Sequence, residues 1–318
     1  REMLQTLFER KFPVKNIFAL ASRSSVGKEV SFGDEKILKV SSVDDFNFEK
    51  ADIALFSAGS DIAKKFGPKA GVKGCIVIDN SSCFRMDDEV PLIVPEVNPE
   101  AINAYKIKNI IANPNCSTIQ LVVALKPIHN KYGITRVVVS TYQSITGTGM
   151  KAVRQLESEL NGEKKEMIYP HQIHKNALPH CDIFLENGYT KEEMKLVNET
   201  HKILDSKINV TATAVRIPVV GGHSESINLT LIKPFETSDI LDLLLKTNGV
   251  VVQDNPKENH YPMPISAQGK DDVFVGRIRR DNSQNNGLNL WVVSDNLRKG
   301  AATNTIQILE YLIERNWV

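Results

Sequence analysis

The sequence has little cysteine and lacks long apolar runs. These two shortages argue against a metal- or disulfide-stabilised protein and against a membrane protein. Its 318 residues include four cysteines, and no two of them form a Cys-x-x-Cys pair. Scattered cysteines argue against a zinc site and against a disulfide framework, so we expect no bound metal and a reducing, cytoplasmic location. Because no apolar stretch approaches the roughly 18 residues that span a bilayer, we expect no membrane partner.

A charge excess of either sign is also missing. Basic and acidic residues nearly balance, at 39 and 38, which leaves a formal net charge of +1. No overall field therefore attracts nucleic acid or an anionic membrane, and we expect neither as a partner. Hydrophobic residues make up 42% of the chain, which is enough for real cores. The length predicts two domains, at about 100–200 residues each.

The first third of the chain alternates strand patterns with helix patterns. Apolar strand-like runs lie at residues 16–21, 36–40, 51–57, 75–79 and 109–112, and helical patterns lie at residues 1–8 and 62–70. This alternation predicts a parallel sheet covered on both faces, with ligands beyond the carboxyl ends of its strands. Polar loops follow three of the strands, at residues 22–25, 57–60 and 80–82.

Later segments alternate apolar and polar residues instead. Strand patterns lie at residues 136–142, 209–217, 225–232, 274–278 and 288–294, and helical patterns at residues 150–160 and 191–203. We expect an antiparallel or mixed sheet with one wet face. Thr190 and Glu193 have the spacing of a capping box. The pattern of residues 300–317 predicts a long amphipathic helix that can pack back on the first domain.

The segment Asn113-Pro114-Asn115-Cys116-Ser117-Thr118 carries the strongest chemical signal. A strand pattern enters a proline turn, and a helical pattern follows, so the Cys116 thiol lies at a helix N-terminus with Ser117 or Thr118 as the predicted cap. Unpaired N–H groups and the helix dipole favour a thiolate there, and a thiolate is a nucleophile. A buried structural cysteine is the alternative, because free cysteine also packs as a small apolar group.

An ordered set of short motifs resembles the aspartate-β-semialdehyde dehydrogenase family almost from end to end. The matching motifs are Ser57-Ala58-Gly59, Asp79-Asn80-Ser81-Ser82, Val94-Pro95-Glu96-Val97-Asn98, Asn113 to Thr118, Ser140-Thr141-Tyr142-Gln143, Glu192-Glu193-Met194-Lys195, Arg216-Ile217-Pro218-Val219, His223-Ser224-Glu225-Ser226, Val275-Gly276-Arg277-Ile278-Arg279, Trp291-Val292-Val293-Ser294-Asp295-Asn296 and Lys299-Gly300-Ala301-Ala302. Each motif alone is weak, whereas their order along one chain is highly specific.

The resemblance implies an α/β fold: a Rossmann-like NADP domain with a parallel sheet, and an α/β catalytic and dimerisation domain with a mixed sheet. We place the NADP domain at residues 1–115 and 297–318, and the catalytic domain at residues 116–296. The implied reaction reduces L-aspartyl 4-phosphate with NADPH to aspartate 4-semialdehyde and phosphate, reversibly, through a cysteine thioester. This step serves lysine (diaminopimelate), threonine and methionine biosynthesis. The implied assembly is a homodimer or homotetramer.

Three residues take catalytic roles under this resemblance. Cys116 matches the nucleophile, His223 the general acid–base that stabilises the thiolate and shuttles a proton, and Gln143 the residue that orients the acyl intermediate. A histidine after Gly-Gly is, by itself, more often a solvated loop residue, and the surrounding motif is what favours a catalytic role.

Five further residues match binders of substrate or phosphate. Arg216 corresponds to the residue that holds the α-carboxylate in a bidentate fork, and Glu192 to the binder of the amino group. The predicted phosphate contacts are Arg85, Asn115 and Lys195. By spacing alone, Glu192 and Lys195 are more often a solvated ion pair on one helical face.

The predicted cofactor residues come from two loops and one later position. Ser22, Arg23, Ser24 and Ser25 form a polar loop without an acidic residue, and Arg23 suits the 2′-phosphate of NADP. The resemblance also places Ser57, Ala58 and Gly59 against the cofactor and Asn296 near the nicotinamide.

The family's glycine-rich phosphate loop would lie just before Arg1, so we expect the natural chain to start upstream. Intact-mass analysis of the native protein tests this expectation. Three alternatives stay open from the sequence: an N-acetylglutamyl-phosphate reductase, a phosphorylating glyceraldehyde-3-phosphate dehydrogenase, and an inactive binding relative. The second family usually carries Ser-Cys-Thr-Thr-Asn, which this sequence lacks.

Overall fold

The computed structural model describes residues 1–34, 36–163 and 166–317. It divides the chain into two compact units. Unit 1 comprises Arg1–Pro114 and Ala301–Val318, and unit 2 comprises Asn115–Gly300. Within the described residues, no helix combines the length and the apolar character needed to cross a membrane.

Among its described residues, unit 1 contains small sheets and three α-helices. The strands are β1 (Leu20–Ala21), β2 (Glu29–Phe32), β3 (Lys36–Lys39), β4 (Ser41–Ser42), β5 (Ile53–Phe56), β6 (Ile76–Asp79) and β7 (Ile110–Ala112), and the helices are α1 (Glu2–Glu9), α2 (Ser60–Val72) and α8 (Asn304–Glu314). Strands β5, β6 and β7 form a parallel sheet in that order, β1 pairs with β4 in parallel, and β2 and β3 form an antiparallel hairpin.

The hydrophobic core of unit 1 contains residues of the parallel sheet and residues of the helices near the two ends of the chain. Every residue of β6 is buried, as expected for a strand covered on both faces. Ile78 packs in one cluster with Leu7 of α1 and with Ile306 and Leu309 of α8. The prediction that the C-terminal helix packs on the first domain is therefore confirmed.

One predicted strand is much shorter than its pattern. Residues 16–21 were expected to be extended along their whole length, but only Leu20 and Ala21 form strand β1. A strand needs a partner ladder, and β4 offers only Ser41 and Ser42. The hairpin partner β2 was not predicted, because its alternation of polar and apolar residues extends over only four residues.

Unit 2 is built on one six-stranded sheet. Its strands are β8 (Ile134–Gln143), β9 (Asn209–Arg216), β10 (His223–Leu231), β11 (Val250–Val252), β12 (Val273–Asp281) and β13 (Gly287–Ser294), and its helices are α3 (Cys116–Tyr132), α4 (Met150–Leu160), α5 (Lys191–Ile203), α6 (Thr237–Leu245) and α7 (Pro264–Ala267). The strand order is β11-β12-β13-β10-β8-β9. Two of the five pairings are parallel and three are antiparallel, so the mixed sheet is confirmed.

The two faces of this sheet differ. Residues such as Val139, Ile227 and Leu290 point to one face, are fully buried, and lie on the side that α3 packs against. The opposite face leaves Tyr142, with its ring 5.5 Å from that of Trp291, half-buried. A buried face and a wetter face are what the alternating sequence predicts.

Candidate active site

Strand register brings three predicted site residues to one edge of the mixed sheet. Gln143 ends β8 and lies beside Arg216, which ends the parallel strand β9. On the other side of β8, the antiparallel strand β10 begins with His223, one residue before the pairing of Ser224 with Tyr142. All three side chains are buried. Neighbouring strand ends therefore gather an amide, a guanidinium and an imidazole.

Helix α3 starts at this same edge. It begins at Cys116, ends at Tyr132, and is followed at once by β8, so it runs back along the strand. At about 1.5 Å per helical residue and about 3.3 Å per strand residue, the start of α3 returns to the carboxyl end of β8. Cys116, whose side chain is half-buried, is the first residue of the helix.

The predicted cap of this helix was wrong. Ser117 and Thr118 lie inside α3, and the N-cap is Asn115. The Oδ1 atom of Asn115 accepts hydrogen bonds from the backbone N–H groups of Ser117 at 3.0 Å and Thr118 at 3.4 Å. The first turn of α3 is therefore fixed by the residue that immediately precedes the thiol.

Glu192 is the centre of a buried hydrogen-bond cluster. Its Oε1 accepts from Asn115 Nδ2 at 3.0 Å and from Gln143 Nε2 at 3.1 Å, and its Oε2 accepts from Lys195 Nζ at 2.9 Å. Burial opposes the charge of Glu192, but the positive Lys195 and these donors outweigh it and lower the pKa of Glu192 to about 2. A carboxylate offers about four acceptor positions, so room remains for one more donor.

His223 is held in one orientation by a backbone contact. The N–H of Ser144 donates to His223 Nδ1 at 3.0 Å, so the ring proton of the neutral imidazole lies on Nε2. The ring is fully buried and close to Arg216, and both effects lower the pKa of His223 to about 3. Nε2 has no hydrogen-bond partner among the described residues. It is a donor without an acceptor.

Arg216 presents a second donor of this kind. Its Nη1 donates to the Ser144 carbonyl at 2.6 Å, whereas its buried Nε finds no partner within the described part of the chain. Leaving such a donor unsatisfied costs about 1–3 kcal/mol, and more for a charged group. An anionic ligand at this place would remove that cost.

Gly147 lies close to both the Arg216 guanidinium and the His223 ring. A Cβ atom on Gly147 would lie 3.0 Å from Arg216 Nη1 and 3.2 Å from His223 Nε2. Gly300 makes a similar close approach to the thiol residue, because a Cβ there would lie 2.8 Å from Cys116 Cβ. Both glycines admit neighbours that any larger residue would displace.

Gly147→Ala is expected to impair ligand binding with little effect on stability. The added methyl would push Arg216 and His223 apart by a few tenths of an ångström. We expect kcat/KM to fall by about tenfold, since misplacement on the ångström scale costs up to about 10² in rate. Steady-state kinetics and a thermal melt check this. A thermal unfolding midpoint lowered by many degrees, together with an unchanged kcat/KM, would contradict the prediction.

The other three thiols are poor nucleophiles. Burial raises the pKa of Cys75 to about 12 and that of Cys181 to about 11, and it also raises the pKa of Cys83. We therefore predict that iodoacetamide modifies Cys116 first near neutral pH, because only a thiolate reacts. Peptide mass mapping after partial reaction measures the order. Equal modification of Cys75 and Cys116 would contradict the prediction.

The predicted phosphate binders fall in both units. In unit 2, Lys195 is held by Glu192 and by Asp182 at 2.8 Å, and these partners raise its pKa against the effect of burial. In unit 1, Arg85 is buried beyond the carboxyl end of β6, where it donates to the carbonyl groups of Asn80 and Asn113, each at 2.9 Å.

The predicted cofactor residues lie at strand ends of unit 1, with one in unit 2. Ser22 directly follows β1, and its hydroxyl lies 3.0 Å from that of Ser24. Arg23 Nη2 donates to Asp45 at 3.4 Å, so the fold supplies an acidic neighbour that the loop itself lacks. Ser25 ends a short 3-10 helix, Arg23–Ser25. Ser57 and Ala58 follow β5, and Gly59 is the N-cap of α2 with open space beside it. In unit 2, Asn296 accepts from Thr146 at 3.1 Å.

These residues fit a phosphorylated dinucleotide. Hydroxyls and a guanidinium at the carboxyl end of β1 are suitable donors for a ribose 2′-phosphate. The exposed Arg23 side chain is only weakly held by Asp45, because surface ion pairs contribute about 0–1 kcal/mol. A phosphate could therefore replace that partner.

Sequence reasoning missed two residues that orient the site. The backbone N–H of Ser144 fixes the His223 ring, and the Oε2 atom of Glu199 accepts from the Asn115 N–H at 2.6 Å. A backbone donor leaves no trace in side-chain identity. Glu199 had a weak signal, because it lies seven residues after Glu192 and thus on the same helical face.

Comparison with known proteins agrees with this geometry. The family model described as "Semialdehyde dehydrogenase, NAD binding domain" matches residues 1–105, and "Semialdehyde dehydrogenase, dimerisation domain" matches residues 125–299. Aspartate-semialdehyde dehydrogenase of Aquifex aeolicus is 52% identical over 326 residues, covering 100% of this chain and 96% of that protein.

Two solved structures show the same fold. Aspartate semialdehyde dehydrogenase II of Vibrio cholerae, complexed with ASA, has a TM-score of 0.94 at 47% identity, covering 98% of this chain and 94% of that one. The Candida albicans enzyme, solved with NADP, has a TM-score of 0.77 at 27% identity, covering 100% and 96%. The chain therefore belongs to the aspartate-semialdehyde dehydrogenase family of oxidoreductases, with a Rossmann-like NAD(P)-binding domain and a dimerisation domain that carries a mixed sheet.

Proposed function

We propose that this protein interconverts L-aspartyl 4-phosphate and L-aspartate 4-semialdehyde with NADP and phosphate, using Cys116 as the nucleophile. The observation that carries the proposal is the buried cluster around Glu192. It holds Asn115, the residue before the thiol, and Gln143 on the same carboxylate oxygen. Arg216 and His223 both approach Gly147, and each keeps one buried nitrogen, Nε and Nε2 respectively, without a partner among the described residues.

The charges of the cluster suit an amino acid. Arg216 can hold an α-carboxylate through its free Nε, and the anionic Glu192 can accept from an ammonium group at its remaining position. Lys195 and Asn115 both bind Glu192, so they lie at the end of the bound amino acid that Glu192 holds, where they can contact a phosphate. Arg85 of unit 1 is proposed as a further phosphate contact.

Arg216→Leu should weaken substrate binding far more than cofactor binding. Leucine keeps the apolar contacts of the side chain but removes the charged donor, which is worth about 1.5–3 kcal/mol, or about 10–150-fold in KM. Kinetics with varied semialdehyde and a separate NADP titration measure the two effects, and Arg216→Lys shows whether charge alone suffices. An equal loss of NADP affinity would contradict this role.

The residues support a covalent route. The Cys116 thiolate bonds to the acyl carbon, the carbon–oxygen bond to phosphate breaks, and inorganic phosphate leaves, which gives a thioester. When bound, the nicotinamide cofactor supplies a hydride to that carbon. The carbon–sulfur bond then breaks, so the semialdehyde leaves and the thiolate is restored. His223 Nε2 donates a hydrogen bond to the oxygen that carries negative charge at each addition. Its further role as a proton shuttle stays a prediction.

We assign the cofactor to unit 1. Ser22, Arg23, Ser24 and Ser25 would hold the adenosine 2′-phosphate, and the segment from Ser57 to Gly59 would pass along the dinucleotide. Asn296 would orient the nicotinamide end. NADP is favoured over NAD by Arg23, and the structural relative from Candida albicans was solved with NADP.

We further propose a cytoplasmic homodimer formed through the half-buried face of the mixed sheet. Tyr142 and Trp291 lie there as a ring pair, and large aromatic side chains are enriched at interfaces. The matching family model for residues 125–299 is described as a dimerisation domain. Analytical ultracentrifugation distinguishes a dimer from a tetramer.

The test is an assay of the full-length protein with aspartate semialdehyde, NADP and phosphate. We expect NADPH absorbance to appear only when all three are present. Activity on N-acetylglutamate semialdehyde instead would indicate the related reductase. Cofactor binding without turnover on either substrate would indicate an inactive binding relative.

A further inference from the structure

Glu199 binds the backbone immediately before the thiol. It lies on α5, is 1% exposed, and its Oε2 accepts from the Asn115 N–H at 2.6 Å. The two residues are 84 positions apart, so this contact ties α5 to the start of α3. A hydrogen bond this short to an acidic side chain is among the stronger kinds in proteins.

Every polar group of Asn115 makes a hydrogen bond. Its backbone N–H binds Glu199, its Nδ2 binds Glu192 at 3.0 Å, and its Oδ1 accepts from the first turn of α3. Its carbonyl accepts from the Ile119 N–H at 3.0 Å. Glu192 and Glu199 are two helical turns apart, so one face of α5 supplies both carboxylates.

These contacts of Asn115 set the position of Cys116, the next residue. Cys116 is the first helical residue, so its backbone direction follows from the φ and ψ angles of Asn115, which are −60° and 145°. Without the Glu199 contact, the Asn115 N–H would be a buried donor lacking its acceptor, and the turn could rotate to find another. A rotation of that kind would move the Cys116 side chain.

We propose that Glu199 is a positioning residue of the active site, which sets the place of Cys116 through the Asn115 N–H. The inference rests on the proposed function, because it takes Cys116 as the nucleophile. Glu199 does not touch the substrate in this scheme. Its loss should therefore lower kcat and slow the reaction of Cys116 with iodoacetamide, while KM stays nearly constant.

Glu199→Ala is the first test, with Glu193→Ala as the matched control. Glu193 is a buried glutamate on the same helix, and its carboxylate accepts from the backbone N–H groups of Thr190 at 2.6 Å and Ala214 at 2.9 Å. It does not bind Asn115. Both variants should lose stability, but only Glu199→Ala should lower kcat and the alkylation rate of Cys116, by about 10–100-fold. Glu199→Gln keeps an acceptor oxygen and should recover about tenfold of that loss.

Three results would overturn the inference. They are a folded Glu199→Ala with kcat and alkylation within about twofold of wild type, an equal loss in Glu193→Ala, or a change in KM alone. If Glu199→Ala does not fold, the wild-type Asn115 amide proton decides. In protein labelled with ¹⁵N-asparagine it should resonate far downfield, and a random-coil position would refute the contact. A different result would refute the proposed function and leave the positioning role standing. In that result, Glu199→Ala slows the alkylation of Cys116 as predicted, but the wild-type protein never turns over aspartate semialdehyde.

Discussion

Cys116→Ala is expected to reduce turnover of aspartate semialdehyde by at least about 10⁴-fold while leaving the fold intact. Removal of a nucleophile from a covalent mechanism costs on this scale, because no other group can form the intermediate. Alanine keeps the Cβ that packs against Gly300, so the loss is confined to the sulfur. Kinetics with NADPH detection, together with a thermal melt, measure both parts of the expectation.

The matched control is Cys75→Ala. Cys75 is a fully buried thiol of unit 1 whose pKa burial raises to about 12, so it takes no part in nucleophilic chemistry at neutral pH. We expect this variant to lose stability through the cavity it leaves, by about 1 kcal/mol, and to keep its turnover. Retained activity in Cys116→Ala, or its loss in Cys75→Ala, would place the nucleophile elsewhere.

The elements with strong local signals were predictable from sequence. The prediction for α5 has the observed bounds, Lys191–Ile203, and both hydrogen bonds of its capping box form. The bounds of α4, Met150–Leu160, also agree. In each case the helix period and the end signals come from neighbouring residues. The α/β fold class and the family resemblance are confirmed as well, because an ordered set of motifs carries information over the whole chain.

Features that depend on distant partners were not predictable. The sequence predicted Ser117 or Thr118 as the cap of α3, whereas the cap is Asn115, whose amide groups are held by Glu192 and Glu199 of another helix. Asp45 approaches Arg23 from 22 positions along the chain. Likewise, the strand order β9-β8-β10 brings Gln143, Arg216 and His223 together. Non-local pairing decides each of these, and no residue pattern within a short window encodes it.

The remaining large effect concerns His223. His223→Ala should lower kcat by about 10²–10³-fold, the usual cost of removing one donor to a developing oxyanion. The Ser144 N–H occupies Nδ1, so the neutral ring can only donate from Nε2. The adjacent Arg216 and full burial both oppose a second proton. His223→Gln places an amide N–H at a similar reach, and it should recover about tenfold of the lost rate.

The pH dependence separates a hydrogen-bond donor from a proton shuttle. The pKa of His223 falls from 6.5 to about 3 on folding, so the unfolded state binds the extra proton between those values. The contribution of His223 to the free energy of unfolding should therefore decline as pH falls from about 6.5 to about 5. Burial raises the pKa of Glu225 well above its usual value, and this carboxyl changes the free energy of unfolding in the opposite direction in the same range. The difference in free energy of unfolding between wild type and His223→Gln isolates the histidine, and urea unfolding at several pH values should show this difference shift against wild type by about 1.4 kcal/mol per pH unit as pH falls through the window. The pH profile of kcat/KM for His223→Gln, between about pH 6 and pH 9, should have the same midpoints as that of wild type. Only its plateau should be lower. Loss of a limb near neutral pH in His223→Gln would instead mean that the ring changes charge during turnover.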